Sequence, residues 1–131
     1  GMGAWKKINF PADAKDILTV GSINEHGMNA AFSAVGPTAD GRIKPDVMAF
    51  GSPTCVITGR GSIINDNGTS FSSPLVAGMV ACLWQALPGK TAKQIIKLVK
   101  LAGDNQQHPD NFFGYGVPDF WKAYQTGKAI K

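Results

Sequence analysis

Histidine and cysteine are scarce in this 131-residue chain, with two of each. Cys55 and Cys82 lie far apart in apolar surroundings, with neither a Cys-x-x-Cys nor a Cys/His spacing that would ligate a metal. They read as buried free thiols, a disulfide between them stays open as the alternative, and two cysteines are too few to assign a redox compartment. His26 falls in a turn and His108 in a polar loop before Pro109, so both read as solvated surface groups. No Gly-x-Gly-x-x-Gly and no Gly-Lys-Ser/Thr occurs, so the glycines ahead of the long apolar segment do not make a phosphate cradle. No apolar run is long enough to span a bilayer, no segment reads as a signal peptide, and Gly1 before Met2 reads as a tag remnant. Low-complexity tracts are absent as well.

What is present is ordinary for a soluble globular protein: 44% hydrophobic residues, 17% charged, and enough length for one domain with a real core. The formal charge of +4 comes from dispersed lysines, among them Lys93, Lys97 and Lys100 on one expected helix and Lys122, Lys128 and Lys131 near the end. That dispersal describes a solvated basic face and not a nucleic-acid surface.

Residues 2 to 16, with Trp5, Lys6, Lys7 and Phe10-Pro11, read as a loop containing a short extended piece. Ile17 to Ile23 is short, apolar and rich in β-branched residues, which suits a buried strand of a parallel sheet. Further strands are expected at Ala30 to Val35, Asp46 to Phe50 and Cys55 to Thr58, with Gly59 to Asn67 a loop. From Leu75 to Leu87 the only conventionally polar side chain is Gln85, so a helix apolar on every side and therefore buried is expected, ended by Pro88-Gly89. Thr91-Ala92-Lys93-Gln94 is a capping box for a second helix with Ile95, Ile96, Val99 and Ala102 inward, closing at Gly103. A last short helix starts at Pro118 and runs through Phe120, Trp121 and Tyr124, with Gly127 just beyond its end.

Asn67-Gly68-Thr69-Ser70-Phe71-Ser72-Ser73-Pro74 stands at the mouth of the apolar helix. Ordinarily a Ser/Thr-rich segment in that place is only a cap, its hydroxyls accepting hydrogen bonds from the free amides, with glycine allowing a close approach and proline suiting the first turn. The same free amides, backed by the positive end of the helix dipole, stabilise negative charge beside Ser70, which suits acyl transfer. The string Gly68-Thr69-Ser70-x-Ser72-x-Pro74 followed by Ala77-Gly78 resembles the nucleophile motif of the subtilisin-like serine proteases, the subtilases. Phe10-Pro11-Ala12, Ile17 to Gly21, Phe32-Ser33-x-x-Gly36-Pro37, Lys44-Pro45-Asp46-Val47-x-Ala49-x-Gly51 and Gly114-Tyr115-Gly116 match the family in order, over roughly residues 9 to 124. Ala49-Phe50-Gly51 departs from the frequent Ala-Pro-Gly, and Phe71 stands where a methionine is common.

The resemblance implies an α/β fold, part of a subtilisin-like domain, with a mostly parallel sheet packed on a buried central helix and without the upstream half. It implies Ser70 as nucleophile with its own amide at the oxyanion, Asn9 at the base of the specificity pocket beside Phe10-Pro11, a candidate cis peptide, and Thr69 and Phe71 flanking the scissile bond. The implied substrate is a peptide or protein. The family's Asp-Ser/Thr-Gly and His-Gly-Thr-His segments, which supply the orienting aspartate and the base, do not occur in residues 1–131, and its oxyanion asparagine would fall upstream of Met2. The chain therefore reads as the C-terminal, serine-bearing portion of a catalytic domain, inactive alone. The alternative is a truncated, non-catalytic packing or interaction module. An apolar helix lacking its cover is expected to drive homo-oligomers or association with an upstream half. Several relatives bind calcium, and carbonyls of Ala12 to Ile17 with the Asp46 carboxylate offer too few charged ligands for a site, so no cofactor is expected. Nothing in the residues assigns a compartment, although bacterial members of the family are often exported.

Overall fold

The computed structural model describes residues 7–130; Gly1, Met2, Trp5, Lys6 and Lys131, on which the sequence raised expectations, lie outside them. The described elements are β1 (Val20–Asn24), β2 (Val47–Ser52), β3 (Thr54–Ile57), β4 (Ile63–Asp66), α1 (Thr69–Ala86), α2 (Ala92–Leu101) and α3 (Phe120–Ala129). β1 and β2 pair in parallel from Val20↔Val47 to Ile23↔Phe50, with a bulge before Asn24↔Ser52. α1 lies on this pair, as an α/β arrangement requires, and α2 and α3 pack beside it. Between them is the core of Val47, Ala49, Val76, Leu83, Leu87, Ile95, Leu98, Val99, Ala102 and Ala123. The other edge of β2 is held by the Gly114–Gly116 turn, where the Tyr115 amide donates to the Asp46 carbonyl (2.7 Å) and the Met48 amide to the Gly116 carbonyl (3.0 Å). Gly114 has φ 55° and its α-carbon faces the Pro45 and Asp46 carbonyls at a distance no Cβ fits, so both conformation and space demand glycine there.

β3 and β4 form an antiparallel hairpin, closed by Thr58 and Ser62 (2.8 Å), with Gly61 at φ 80°. The loop expected from Gly59 to Asn67 thus contains a strand, because Ile63-Ile64 between polar residues pairs with Ile57 and Val56 once the turn brings them together. Ile57 and Ile63 are 75% and 72% exposed, so the hairpin stands off the core. Its two ends are tied, the Gly68 amide donating to the Gly51 carbonyl (3.0 Å) and the Ser52 hydroxyl to Asn67 Oδ1 (2.8 Å).

No strand forms at Ala30 to Val35. Ser33 instead folds back on Ala30 (2.8 Å), and its hydroxyl accepts from the Ser22 amide (3.0 Å), so the segment hangs on β1 through a turn. The capping box of α2 is as expected: Thr91 Oγ1 accepts from the Gln94 amide and Gln94 Oε1 from the Thr91 amide. α3 begins later, capped by Asp119, and runs through Gly127 instead of stopping before it. Gly127 is there because the Leu87 and Leu98 side chains fill the space of its missing Cβ.

The largest departure concerns α1. Of its residues only Ser72, Val76 and Leu83 are buried, whereas Leu75, Met79 and Trp84 are 50%, 46% and 43% exposed. The sheet, α2 and α3 cover one side, and among the described residues no element covers the other. Cys55 and Cys82, expected inside, are free and exposed, one on the hairpin that stands off the core and one on α1 in an open groove beside Phe120, Trp121 and Tyr124 of α3.

Candidate functional site

Ser70 is the second residue of α1 and is exposed. The helix starts five residues ahead of Pro74, so the proline lies inside it and withholds the N–H that the Ser70 carbonyl would otherwise accept. Gly68 is the N-cap in extended conformation (φ 166°), and no side chain caps the end. The hydroxyl capping expected of Thr69, Ser70, Ser72 and Ser73 is therefore absent. Nor does Gly68 need to be glycine for space, since a Cβ there would make only ordinary contacts, with the Phe71 ring at 3.6 Å and the Ser70 nitrogen at 3.7 Å. The Phe71 amide turns back to the Gly68 carbonyl (3.0 Å), while the Thr69 and Ser70 amides belong to the first turn, which α-helical bonding leaves without intrahelical partners. The positive helix end thus lies beside the Ser70 hydroxyl.

What fixes this end is Gly51. A Cβ at Gly51 would collide with the hydroxyls of Ser22 on β1 and Ser72 on α1, and would lie 2.8 Å from the Gly68 carbonyl. Ser22 and Ser72 are fully buried, and neither hydroxyl has a hydrogen-bond partner among the described residues. Gly51 lets α1 approach β2 closely enough to set Ser70 at the sheet's end. Sequence reasoning named Gly51 only as part of a matching segment and Ser72 only as a motif residue and expected cap, and it gave no role to Ser22, which carries no local signal.

Two adjoining clefts open here. One of about 280 Å³ is lined by Asn9, Phe10, Pro11, Val20, Ala34 and Thr69 among others. The other, about 770 Å³, is lined by Pro11, Leu18, Thr69, Ser70, Ser73 and Pro74 among others. Asn9, Phe10, Thr69 and Ser70 are therefore brought together, whereas Phe71, half-buried, lines neither cleft. The Phe10–Pro11 peptide is cis, as expected, and Phe10 is 88% exposed. Neither histidine lines these clefts: His26 is exposed with Glu25 at 3.6 Å, and His108 is exposed in the polar loop after α2.

Beneath the first cleft, Thr19 joins three segments. Its hydroxyl donates to the Ala12 carbonyl (2.7 Å), its amide to Asp46 Oδ2 (2.7 Å), and its carbonyl accepts from the Asp46 and Val47 amides. Asp46 is fully buried and also accepts from Lys44 Nζ at Oδ2 (2.6 Å), with Lys100 Nζ at 3.1 Å from Oδ1. Lys44 Nζ donates in addition to the Ile17 carbonyl (3.1 Å). Of the oxygens considered for calcium, the Ala12, Asp13 and Ile17 carbonyls and both Asp46 carboxylate oxygens are engaged by N–H and O–H donors, and two ammonium groups face the one carboxylate, a donor set that does not fit a divalent cation. On the 38–42 loop, hydrogen bonds from Arg42 and Thr38 hold the exposed Asp40 carboxyl down to about 2.

Residues 2–116 match the Subtilase family. The Subtilisin-like protease SBT6.1 of Arabidopsis thaliana is 32% identical over 93% of this chain and 13% of its own length. Mycosin-1 of Mycolicibacterium smegmatis is 35% identical over 79% of this chain and 24% of its own. These curated relatives are therefore much longer than the chain. Among solved structures, MycP1 from Mycobacterium smegmatis superposes with a TM-score of 0.68 at 30% identity, covering 82% of this chain and 29% of that one. The CspB protease of Clostridium perfringens reaches 0.78 at 22% identity, covering 93% of this chain and 29% of that one, a likeness of fold alone. By sequence motif, family match and fold together, the chain belongs to the subtilase family.

Proposed function

We propose that the chain is the serine-bearing portion of a subtilisin-like serine endopeptidase domain, with Ser70 the nucleophile toward a peptide carbonyl and the Ser70 amide at the developing oxyanion. The observation that carries this is the exposed Ser70 at the unpaired-amide end of an 18-residue helix, opening on a cleft shared with Thr69 and Pro11. Asn9 and Phe10 then border the specificity pocket, and Thr69 flanks the scissile bond; the position of Phe71 outside the clefts argues for a role in seating the loop instead. Alone, the chain is inactive, because a serine hydroxyl without a base is protonated and nearly inert at neutral pH. In subtilisin, and not as a value derived from this chain, removing the histidine costs on the order of 10⁶ in turnover.

Labelling with a fluorophosphonate serine-hydrolase probe, read by intact mass with Ser70→Ala as control, tests this. No labelling of the chain alone, and labelling at Ser70 once an upstream portion carrying the aspartate and histidine is supplied, is the expected result. Labelling of the isolated chain that vanishes in the control would refute its inactivity, and no labelling in either state would refute the role of Ser70. A second reading, a packing or interaction module, is favoured by the bare apolar side of α1 around Leu75 and Met79.

A further inference from the structure

The segment from Ala12 to Thr19 carries no regular element of its own, yet it walls both clefts and leads directly into β1. Its end is joined to Asp46 and Val47 through the Thr19 main chain, Arg42 Nη2 donates to the Asp13 carbonyl (2.6 Å), and a further, buried link to the start of β2 is a side-chain cation. Lys44 is almost fully buried, its side chain 4% exposed, and the Asp46 side chain is 1% exposed. Burying an ammonium is costly unless its hydrogens are taken by acceptors. Here Nζ is given one carboxylate oxygen at 2.6 Å and one backbone carbonyl, that of Ile17, at 3.1 Å. A carboxylate and a main-chain carbonyl from a second segment, converging on one positive charge, is the donor chemistry by which proteins clamp loops with metal ions. The tether supplies that charge from the chain itself.

The charge count separates the two possibilities. Asp46 brings one negative charge; Lys44 and Lys100 bring two positive ones, Lys100 at 3.1 Å from Oδ1 and lying 5.2 Å from the centre of the Tyr115 ring. The locus is already net positive by one, so a calcium ion added there meets repulsion from two ammonium groups and finds both carboxylate oxygens and the Ile17 and Ala12 carbonyls engaged. We infer that the Lys44 ammonium is the fold's resident cation, clamping residues 12–19 to β2 in place of a metal ion, and that this locus takes no calcium. The link is electrostatic and permanent, so the cleft wall stays in place whatever the calcium concentration.

Two thermal-unfolding series on the full chain test this. In the first, the wild-type protein is melted in chelator and in about 10 mM CaCl₂, and the expected shift is under about 1 °C. A saturable rise in wild-type Tm that disappears in Asp46→Asn would overturn the inference. In the second, Lys44→Ala leaves the cation position open and Lys44→Met fills it with an uncharged chain. Both are expected to melt lower than wild type, and only Lys44→Ala should recover, saturably, on addition of propylammonium chloride. Tetramethylammonium at the same ionic strength is the control. Lys44→Met that melts like wild type would show that packing and not charge holds the segment, and Lys44→Ala that gains nothing from propylammonium, or folds in none of the solutions, would count equally against the inference.

Discussion

Gly51→Ala adds one methyl group at the contact that seats the first turn of α1. That methyl meets the Ser22 and Ser72 hydroxyls, both fully buried, and the Gly68 carbonyl at 2.8 Å. Rotating either serine relieves only its own clash, and the Gly68 carbonyl is main chain, tied to residue 51 by the 3.0 Å bond from the Gly68 amide. Relief therefore requires α1 to move away from β2. Overpacking of this kind costs about 1–3 kcal/mol. At this chain length each kcal/mol corresponds to about 3–5 °C, so the melting temperature should fall by about 3–15 °C. Urea unfolding followed by circular dichroism measures the free energy directly, and Gly59→Ala, where nothing lies within 4 Å of the added methyl, is the matched control expected to be neutral or slightly stabilising. A second variant sharpens the cause: Ser72→Gly combined with Gly51→Ala removes one of the two hydroxyl contacts and should cost less than the two single changes summed. A Gly51→Ala protein within about 0.5 kcal/mol of wild type would refute the claim that close approach at this residue positions the helix end.

Two further outcomes are expected. Carboxyl titration by NMR should place Asp40 near 2, and Arg42→Gln should move it back up toward the ordinary carboxylate range. Since the folded value is the depressed one, its contribution to stability is present above the unfolded pKa and is lost as pH falls through the folded value; because Asp40 is fully exposed, the signature is the midpoint and not a stability change. On the bare side of α1, Leu75→Glu with Met79→Glu should shift sedimentation of the concentrated protein from associated species toward monomer, whereas a wild-type protein that sediments as a monomer throughout would show that this face does not self-associate.

The parts of the fold legible in the sequence are those whose cause is local. The Thr91–Gln94 box closes within one turn, and Asp46 to Phe50 carries its own β-forming run, so α2 and β2 lie where pattern alone puts them. Ser70 stands out as the candidate because the motif around it, Gly68 to Pro74, is contiguous in sequence. What escaped depends on residues distant in sequence. Ile63-Ile64 becomes a strand only with Cys55 to Ile57 opposite, and Gly127 stays helical only because Leu87 and Leu98 press on it. Likewise the apolar run from Leu75 to Leu87 states what α1 could bury against, but not which of its sides has a neighbour. Proline misled for a different reason: Pro74 marks a lost hydrogen bond and not the helix start.

The hairpin between Gly51 and Gly68 has its ends pinned together by the bonds that seat the serine loop, while its sheet faces carry little of the core. Mechanically it is a detour, leaving and rejoining the framework at almost one point. Because closing a somewhat longer or shorter loop changes the free energy only slowly, by about 0.6 kcal/mol per doubling, this stretch can vary in length and sequence with little disturbance to Ser70. It is therefore the natural place for related chains to diverge, and the place to graft a reporter or a recognition element at close range to the serine without rebuilding the domain.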